Sequence, residues 1–386
     1  MHPLRPMARG ALAAALILSL AATLAAQQMP ERELIAREGK GYLERVGPQL
    51  VLHLKGTPEE MGRQHGALLK EHIAELLKKL EKHQMVQMGP MADFANASFD
   101  GVWKTQLPHI PERFVREMKA LAEAAGQPFE KLRRANTVPE FFHCSGFALF
   151  GKATRDGRLL HGRILDYGVT MGLQDHNVVI ITEPEGHIPF VSVGYAGFVG
   201  SVTGMNLKGV GFGEMGGGGV GQWDGTPMAF LMRRGLEEAD SLQKAIALFR
   251  DSKRTCEYYY VLSDASIPSA VGVWATPEKI EFVGPGEKRP PLDIPIEDGV
   301  LLSKDERYRL LAERVRKRYG KIGPAEAIEL MRRPVAMQHN LHNALMSPGT
   351  GELWVAHATA DGSPASEQPY TYLNIRELMS REPGQR

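Results

Sequence analysis

Cys144 and Cys256 are the only cysteines in the 386 residues, and the surroundings of Cys144 suit a nucleophile. It heads an apolar run, Cys144-Ser145-Gly146-Phe147-Ala148-Leu149-Phe150. This leads through Thr154-Arg155-Asp156-Gly157 into Leu159-Leu160-His161-Gly162-Arg163-Ile164-Leu165-Asp166. Asp-Gly between two β-type runs predicts a hairpin. A two-residue turn there would set Cys144 opposite about residue 169, close to Asp166 and Tyr167. The returning strand then brings Arg163, whose guanidinium can stabilise a thiolate, and Asp166, whose carboxylate can orient an amine. Three-residue spacing puts these two side chains on opposite faces of a regular strand, so a bulge or strand end must fall between them if both serve one site. Two plainer readings compete. Free cysteines are mostly small buried hydrophobes, and in a non-enzymatic exported protein Cys144 and Cys256 could form a disulfide.

The elements that must position this hairpin are mainly helical before it and mostly extended after it. Gln49 to Leu54 reads as a strand. Thr57, Pro58 and Glu60 then form a capping box that opens a helix, and Met61, Leu68, Leu69, Ile73, Leu76, Leu77 and Leu80 carry it through Lys82. A second helix runs from Pro111 to the break at Gly126-Gln127-Pro128, and a third covers 129–136. Beyond Cys144, short β-type runs at 177–182, 190–193, 198–205, 210–215, 258–262, 271–274 and 353–356 have the rhythm of antiparallel sheet. Helical patterns at 227–234, 241–249, 305–319 and 324–332 interrupt them. Together these predict α+β layers around stacked sheets.

The stretch from Cys144 to Tyr167 resembles the start of the catalytic chain in autoproteolytic acyltransferases of the acyl-coenzyme A:6-aminopenicillanate type. Gly56-Thr57-Pro58-Glu59-Glu60-Met61-Gly62-Arg63-Gln64-His65-Gly66, Gly204-Met205-Asn206-Leu207-Lys208-Gly209-Val210 and Asn340-Leu341-His342-Asn343 extend the likeness over nearly the whole chain. Those enzymes are N-terminal-nucleophile hydrolases, alongside bile-salt hydrolases and penicillin V acylases. The resemblance implies a four-layer αββα sandwich in which a segment 27–143 packs with a catalytic segment 144–386 as one domain. It also implies a precursor that cuts itself between His143 and Cys144: the thiol attacks the His143 carbonyl, and water then releases Cys144 as a new chain terminus. Its α-amine, with an ordinary pKa of about 7.7 to 8.0, can accept the thiol proton, so nucleophile and base share one residue. By the same resemblance Asp166 holds that amine, Arg163 flanks the thiolate and Arg307 is a further active-site arginine. The relatives' oxyanion asparagine is missing from Thr255-Cys256-Glu257-Tyr258-Tyr259-Tyr260, so Tyr258, Tyr259 or backbone amides are expected to donate instead. Where the relatives have a second asparagine, this chain has Glu214, suited to a cationic substrate group. The expected substrate is a small N-acyl amide, its acyl group passing through a thioester to water or an amine. A lipid amide or phospholipid on the same fold is the alternative.

With 46 Lys and Arg against 45 Asp and Glu, no net field draws the chain to nucleic acid or anionic membrane. Gly211-Phe212-Gly213-Glu214-Met215-Gly216 fits the dinucleotide pattern. It runs into Gly217, Gly218 and Gly219 rather than a helix, and reads as a flexible loop by the pocket, a substrate lid. His339 and His342 complete no familiar ligand set, so neither metal nor cofactor is expected. The order Cys144, His342, Asn343 lacks the local signature of papain-like proteases. His2, Arg5 and Arg9 ahead of an apolar run from Ala11 to Leu24, with small residues following, predict a secretory signal over 1–26 and a secreted or periplasmic protein. That run is short for a stable membrane span.

Overall fold

The structure, a computed structural model, describes residues 28–137, 144–289 and 294–383; the expected export signal and His143 lie outside them. Three strands come first, β1 (Arg32–Glu38), β2 (Gly41–Val46) and β3 (Gln49–Gly56). The edge strand β1 is largely exposed and rich in charge, which is why no apolar alternation announces it. Five helices follow: α1 (Pro58–Leu68), α2 (Lys70–Met88), α3 (Ala92–Gln106), α4 (Glu112–Ala125) and α5 (Phe129–Thr137).

The capping box forms as expected, Thr57 N donating to the Glu60 carboxylate at 2.8 Å. The single helix expected through Lys82 instead turns at Leu69, whose φ of −116° departs from helical values. The reason is packing. Gly62 and Gly66 let α1 press onto α4, where an added Cβ would lie 2.3 Å from Glu117 O and 2.4 Å from Leu121 O. The bend then frees α2 to leave that axis and lay Leu76 and Leu80 over the cavity described below.

The rest of the chain supplies β4 (Ser145–Gly151), β5 (Gly157–Asp166), β6 (Asn177–Pro184), β7 (Phe190–Tyr195), β8 (Thr203–Asn206), β9 (Val210–Gly216), α6 (Met228–Glu238) and α7 (Leu242–Asp251). Then come β10 (Tyr258–Asp264), β11 (Ser269–Ala275), β12 (Ile280–Val283), β13 (Gly299–Leu302), α8 (Asp305–Arg318), α9 (Pro324–Leu330), β14 (Asn340–Ser347), β15 (Glu352–His357), β16 (Thr371–Asn374) and α10 (Ile375–Ser380). A ten-stranded sheet runs β1-β2-β3-β6-β7-β8-β9-β10-β11-β12, and a six-stranded one runs β13-β4-β5-β14-β15-β16. Every pairing is antiparallel except β3 with β6.

Val51, Val179, Ile181 and Val193 of the large sheet meet Ala344, Met346, Leu353 and Val355 of the small one. On the far side of the large sheet, Phe114, Met118 and Leu121 of α4 cover Leu43, Leu52 and Leu54. Outside the small sheet, Leu311 and Val315 of α8 and Leu330 of α9 cover Phe147, Leu160, Ile164 and Leu345. The order helix, sheet, sheet, helix is the αββα sandwich, with residues before Cys144 giving the large sheet three of its strands.

The central hairpin forms in a different register from the one expected. Ser145 pairs with Ile164, Gly146 with Arg163 and Leu149 with Leu160; after a one-residue shift Gly151 pairs with Gly157. The connection is therefore the loop 152–156 rather than a two-residue Asp-Gly turn, and Cys144 comes level with Leu165 rather than with residue 169. Tertiary bonds decide this. Lys152 N donates to Asp298 at 2.6 Å and Arg155 N to the Ile322 carbonyl at 2.9 Å, pulling the loop away from the tight local turn.

Candidate active site

Cys144 lies just ahead of β4, where the hairpin meets α2 at a cavity of about 880 Å³, mouth included. The walls are mostly apolar, with Leu76, Leu80, Leu165, Leu173, Phe198 and Val202 among them. Both cysteines are free thiols, so the disulfide that would have removed the expected nucleophile is not formed. The Arg163 guanidinium and the backbone amide of Asp166 both act on Cys144 in the direction that favours its thiolate. Burial nevertheless pushes the thiol up, with Glu214 and Asp166 adding to the rise while Arg163 opposes it. The sulfur therefore rests as a thiol, and a thiolate there would need a base to take its proton.

Arg163 is fully buried between the sheets, Nη2 lying 3.3 Å from Glu214 Oε2. Glu214 also lines the cavity, its charge matched to that arginine. Space for the His161 ring and the stem of Arg163 comes from the glycines that resemble a dinucleotide fingerprint. Gly211 and Gly213 are residues of β9, and a Cβ on Gly213 would lie 3.2 Å from Arg163 Cδ and 2.9 Å from His161 Nε2. Gly213→Ala is thus expected to displace Arg163 while leaving the fold intact. Misplacing such a group by an ångström costs about 100-fold in rate, which steady-state kinetics beside a thermal melt will measure.

The glycine run beyond β9 is not a free lid. Glu257 accepts from Gly218 N at 3.0 Å, and Glu257 N donates to the Gly218 carbonyl. The same carboxylate accepts from Tyr259 Oη at 3.0 Å and Trp274 Nε1 at 2.7 Å. One glutamate therefore pins the loop to β10 and β11.

Asp166 ends β5, and the pairing of β5 with β14 shifts register between Asn340 and His342. Its carboxylate accepts from Arg307 Nη2 at 2.8 Å and from Met337 N at 2.9 Å. Arg307 also bonds Ser145 Oγ and donates through Nε to the Val335 carbonyl at 2.8 Å. The two expected arginines thus flank the hairpin from opposite faces, Arg163 from within the sandwich and Arg307 from α8 outside it. Both bear on Cys144: the charge of Arg163 acts on its sulfur, and Arg307 bonds its neighbour Ser145.

Tyr258 packs beside Tyr260, ring centroids 6.4 Å apart, and Tyr259 bonds Glu257. Neither lines the cavity around Cys144. Tyr195, at the end of β7, does line it, and its hydroxyl lies 2.9 Å from His342 Nδ1. No local motif marks that tyrosine; its one signal is a tyrosine closing an apolar strand. Among the described residues no group of three or more His, Cys, Asp or Glu could hold a metal ion, and no helix is long and apolar enough to cross a membrane.

Buried histidines give the fold a pH dependence. His65 Nε2 accepts from Gly197 N at 2.9 Å, and His161 Nδ1 pairs with Ser263 Oγ at 2.7 Å. Burial lowers His65, His161 and His357 to about 3 and His342 well below its ordinary range. The unfolded chain takes up protons below about pH 6.5 while the folded chain refuses them, so stability is complete above that pH and falls as acid is added. Each histidine removes about 1.4 kcal/mol per pH unit, until the pH reaches its folded value. Urea titrations at pH 7 and pH 5 should differ by several kcal/mol, a large share of a total near 5 to 15 kcal/mol. Equal midpoints would contradict this.

Residues 154–282 match the acyl-coenzyme A:6-aminopenicillanic acid acyl-transferase family model. The chain resembles that family, as its motifs indicate, and the matched span carries Arg163, Asp166 and Glu214. It is 28% identical over 254 residues to protein dcd1B of Dictyostelium discoideum, covering 58% of this chain and 51% of the relative. With the acid ceramidase of Rattus norvegicus it shares 28% over 181 residues, 40% of this chain and 45% of the relative. The chain spans about half the length of the curated relatives it matches. Among solved structures, a Caenorhabditis elegans N-acylethanolamine-hydrolyzing acid amidase ortholog aligns at TM-score 0.45 and 15% identity, over 60% of this chain and 100% of that one. Penicillin V acylase from Agrobacterium tumefaciens aligns at 0.40 and 12%, over 62% and 88%.

Proposed function

We propose that the protein is an exported cysteine-nucleophile amide hydrolase or acyltransferase, freed by self-cleavage between His143 and Cys144, that acts on N-acyl amides with an apolar acyl chain. The observation that carries this reading is a thiol under the charge of a buried arginine, on the wall of a mostly apolar cavity. The raised thiol needs a proton acceptor, and cleavage ahead of Cys144 would supply one in the new α-amine. In the forward step the sulfur bonds to the substrate carbonyl carbon and its proton passes to that amine. Collapse breaks the C–N bond, the ammonium returning the proton to the leaving amine. Water or an acceptor amine then attacks the thioester and frees the thiol.

Within that class the apolar walls favour a lipid amide over a short acyl amide, and relatives named acid ceramidase support the same choice. Each methylene buried in the cavity contributes about 0.8 kcal/mol, roughly fourfold in kcat/KM. Turnover of an N-acyl amide series from two to sixteen carbons should climb accordingly. A flat series or a preference for the shortest member would overturn the lipid assignment. Absence of any trapped Cys144 thioester would overturn the reaction class. Export is tested by finding the protein outside the cytoplasm, with its start near Gln27.

A further inference from the structure

We infer that the Tyr195 hydroxyl donates the hydrogen bond that stabilises the oxyanion formed when Cys144 attacks a substrate carbonyl, with His342 and Thr203 fixing its direction. This rests on the proposed role of Cys144 and supplies the donor that the expected tyrosines, turned elsewhere, do not. Tyr195 and Cys144 line one cavity, in which Tyr167 and Glu214 are the other polar side chains. Glu214 is a carboxylate opposite Arg163 and cannot serve an anion, and Tyr167 is only half-buried. Tyr195 is buried and anchored.

The anchor determines where its proton points. Tyr195 Oη lies 2.9 Å from His342 Nδ1, and His342 Nε2 lies 3.0 Å from Thr203 Oγ1, all three residues being buried. Burial holds His342 neutral, with His357 and Arg163 lowering it further, so its ring carries a single proton. When the Thr203 hydroxyl donates to Nε2, that proton sits on Nδ1 and is donated to the tyrosine oxygen. The Tyr195 O–H is then not spent on the triad and is free to donate into the cavity that Tyr195 lines. Burial also keeps the phenol protonated, as a donor must be, against the pull of Arg163. A neutral donor fixed before the reaction begins is the preorganised element that an oxyanion needs.

An acyl aldehyde tests this, because it adds to a thiol as a tetrahedral adduct whose oxygen needs the same donor. The matching primary alcohol fills the cavity without forming one. Tyr195→Phe should weaken aldehyde binding and lower kcat by about 100- to 1,000-fold, with alcohol affinity and KM nearly unchanged. Thr203→Val, which lets the ring proton move to Nε2 and turns the phenol inward, should lose about tenfold, and Thr203→Ser should recover it. Unchanged aldehyde affinity in Tyr195→Phe overturns the inference while leaving Cys144 as nucleophile. If that variant does not fold, normal aldehyde affinity in Thr203→Val overturns it instead. A wild-type protein that forms no aldehyde adduct at Cys144 removes the proposed reaction itself, and this inference with it.

Discussion

Cys144→Ala is expected to give a chain that stays uncut between residues 143 and 144 and shows no turnover of any N-acyl amide. Both losses have one cause in the proposed reaction, where the same sulfur attacks the peptide ahead of it and later the substrate. Loss of a nucleophile acting as a unit with its base typically costs about 10⁶-fold in kcat. Stability should change far less. One buried sulfur beside an open cavity contributes about 1 kcal/mol, and Arg163 keeps its ion pair with Glu214. Gel mobility, intact mass and a denaturant curve check the three outcomes together. An uncut but active variant would separate processing from catalysis, and a cut variant would assign cleavage to another residue.

Arg163→Met should be costly in two separable ways. Removing the guanidinium deprives the Glu214 carboxylate of its buried cation, and breaking one side of such a pair costs about 3 to 5 kcal/mol. The sulfur also loses the cation that favours its thiolate, so the thiol rises further and the proposed attack slows. Adding Glu214→Gln should restore most of the stability, because replacing both ions of a buried pair is often near neutral. It should not restore turnover. Urea midpoints and kcat for the single and double variants distinguish the effects. Full recovery of activity in the double variant would reduce Arg163 to a counter-ion for Glu214.

Much of the fold was legible in the sequence where local signals are strong. The Thr57 capping box, the Gly126 stop with its φ of +66° and the hairpin of β10 and β11 all form where their residues indicate. Register at the site was not legible, because the loop 152–156 is set by bonds to Asp298 and Ile322, partners more than 140 residues away in the chain. The small sheet's β14 is not announced for a related reason: Asn340, His342 and Asn343 at its start are polar yet fully buried, each bonding a residue outside the strand. The glycines of β9 gave a false ligand signal. They are spaced to admit Arg163 and His161 from the facing sheet, a fact of packing rather than of motif.

The proposed chemistry requires Cys144 to become a chain terminus, and N-terminal sequencing of fully active, purified protein tests that most directly. The predicted result is a second sequence beginning Cys144-Ser145-Gly146-Phe147, in proportion to activity. An intact bond between residues 143 and 144 in material of undiminished activity would contradict it, for the thiol would then have no amine to take its proton.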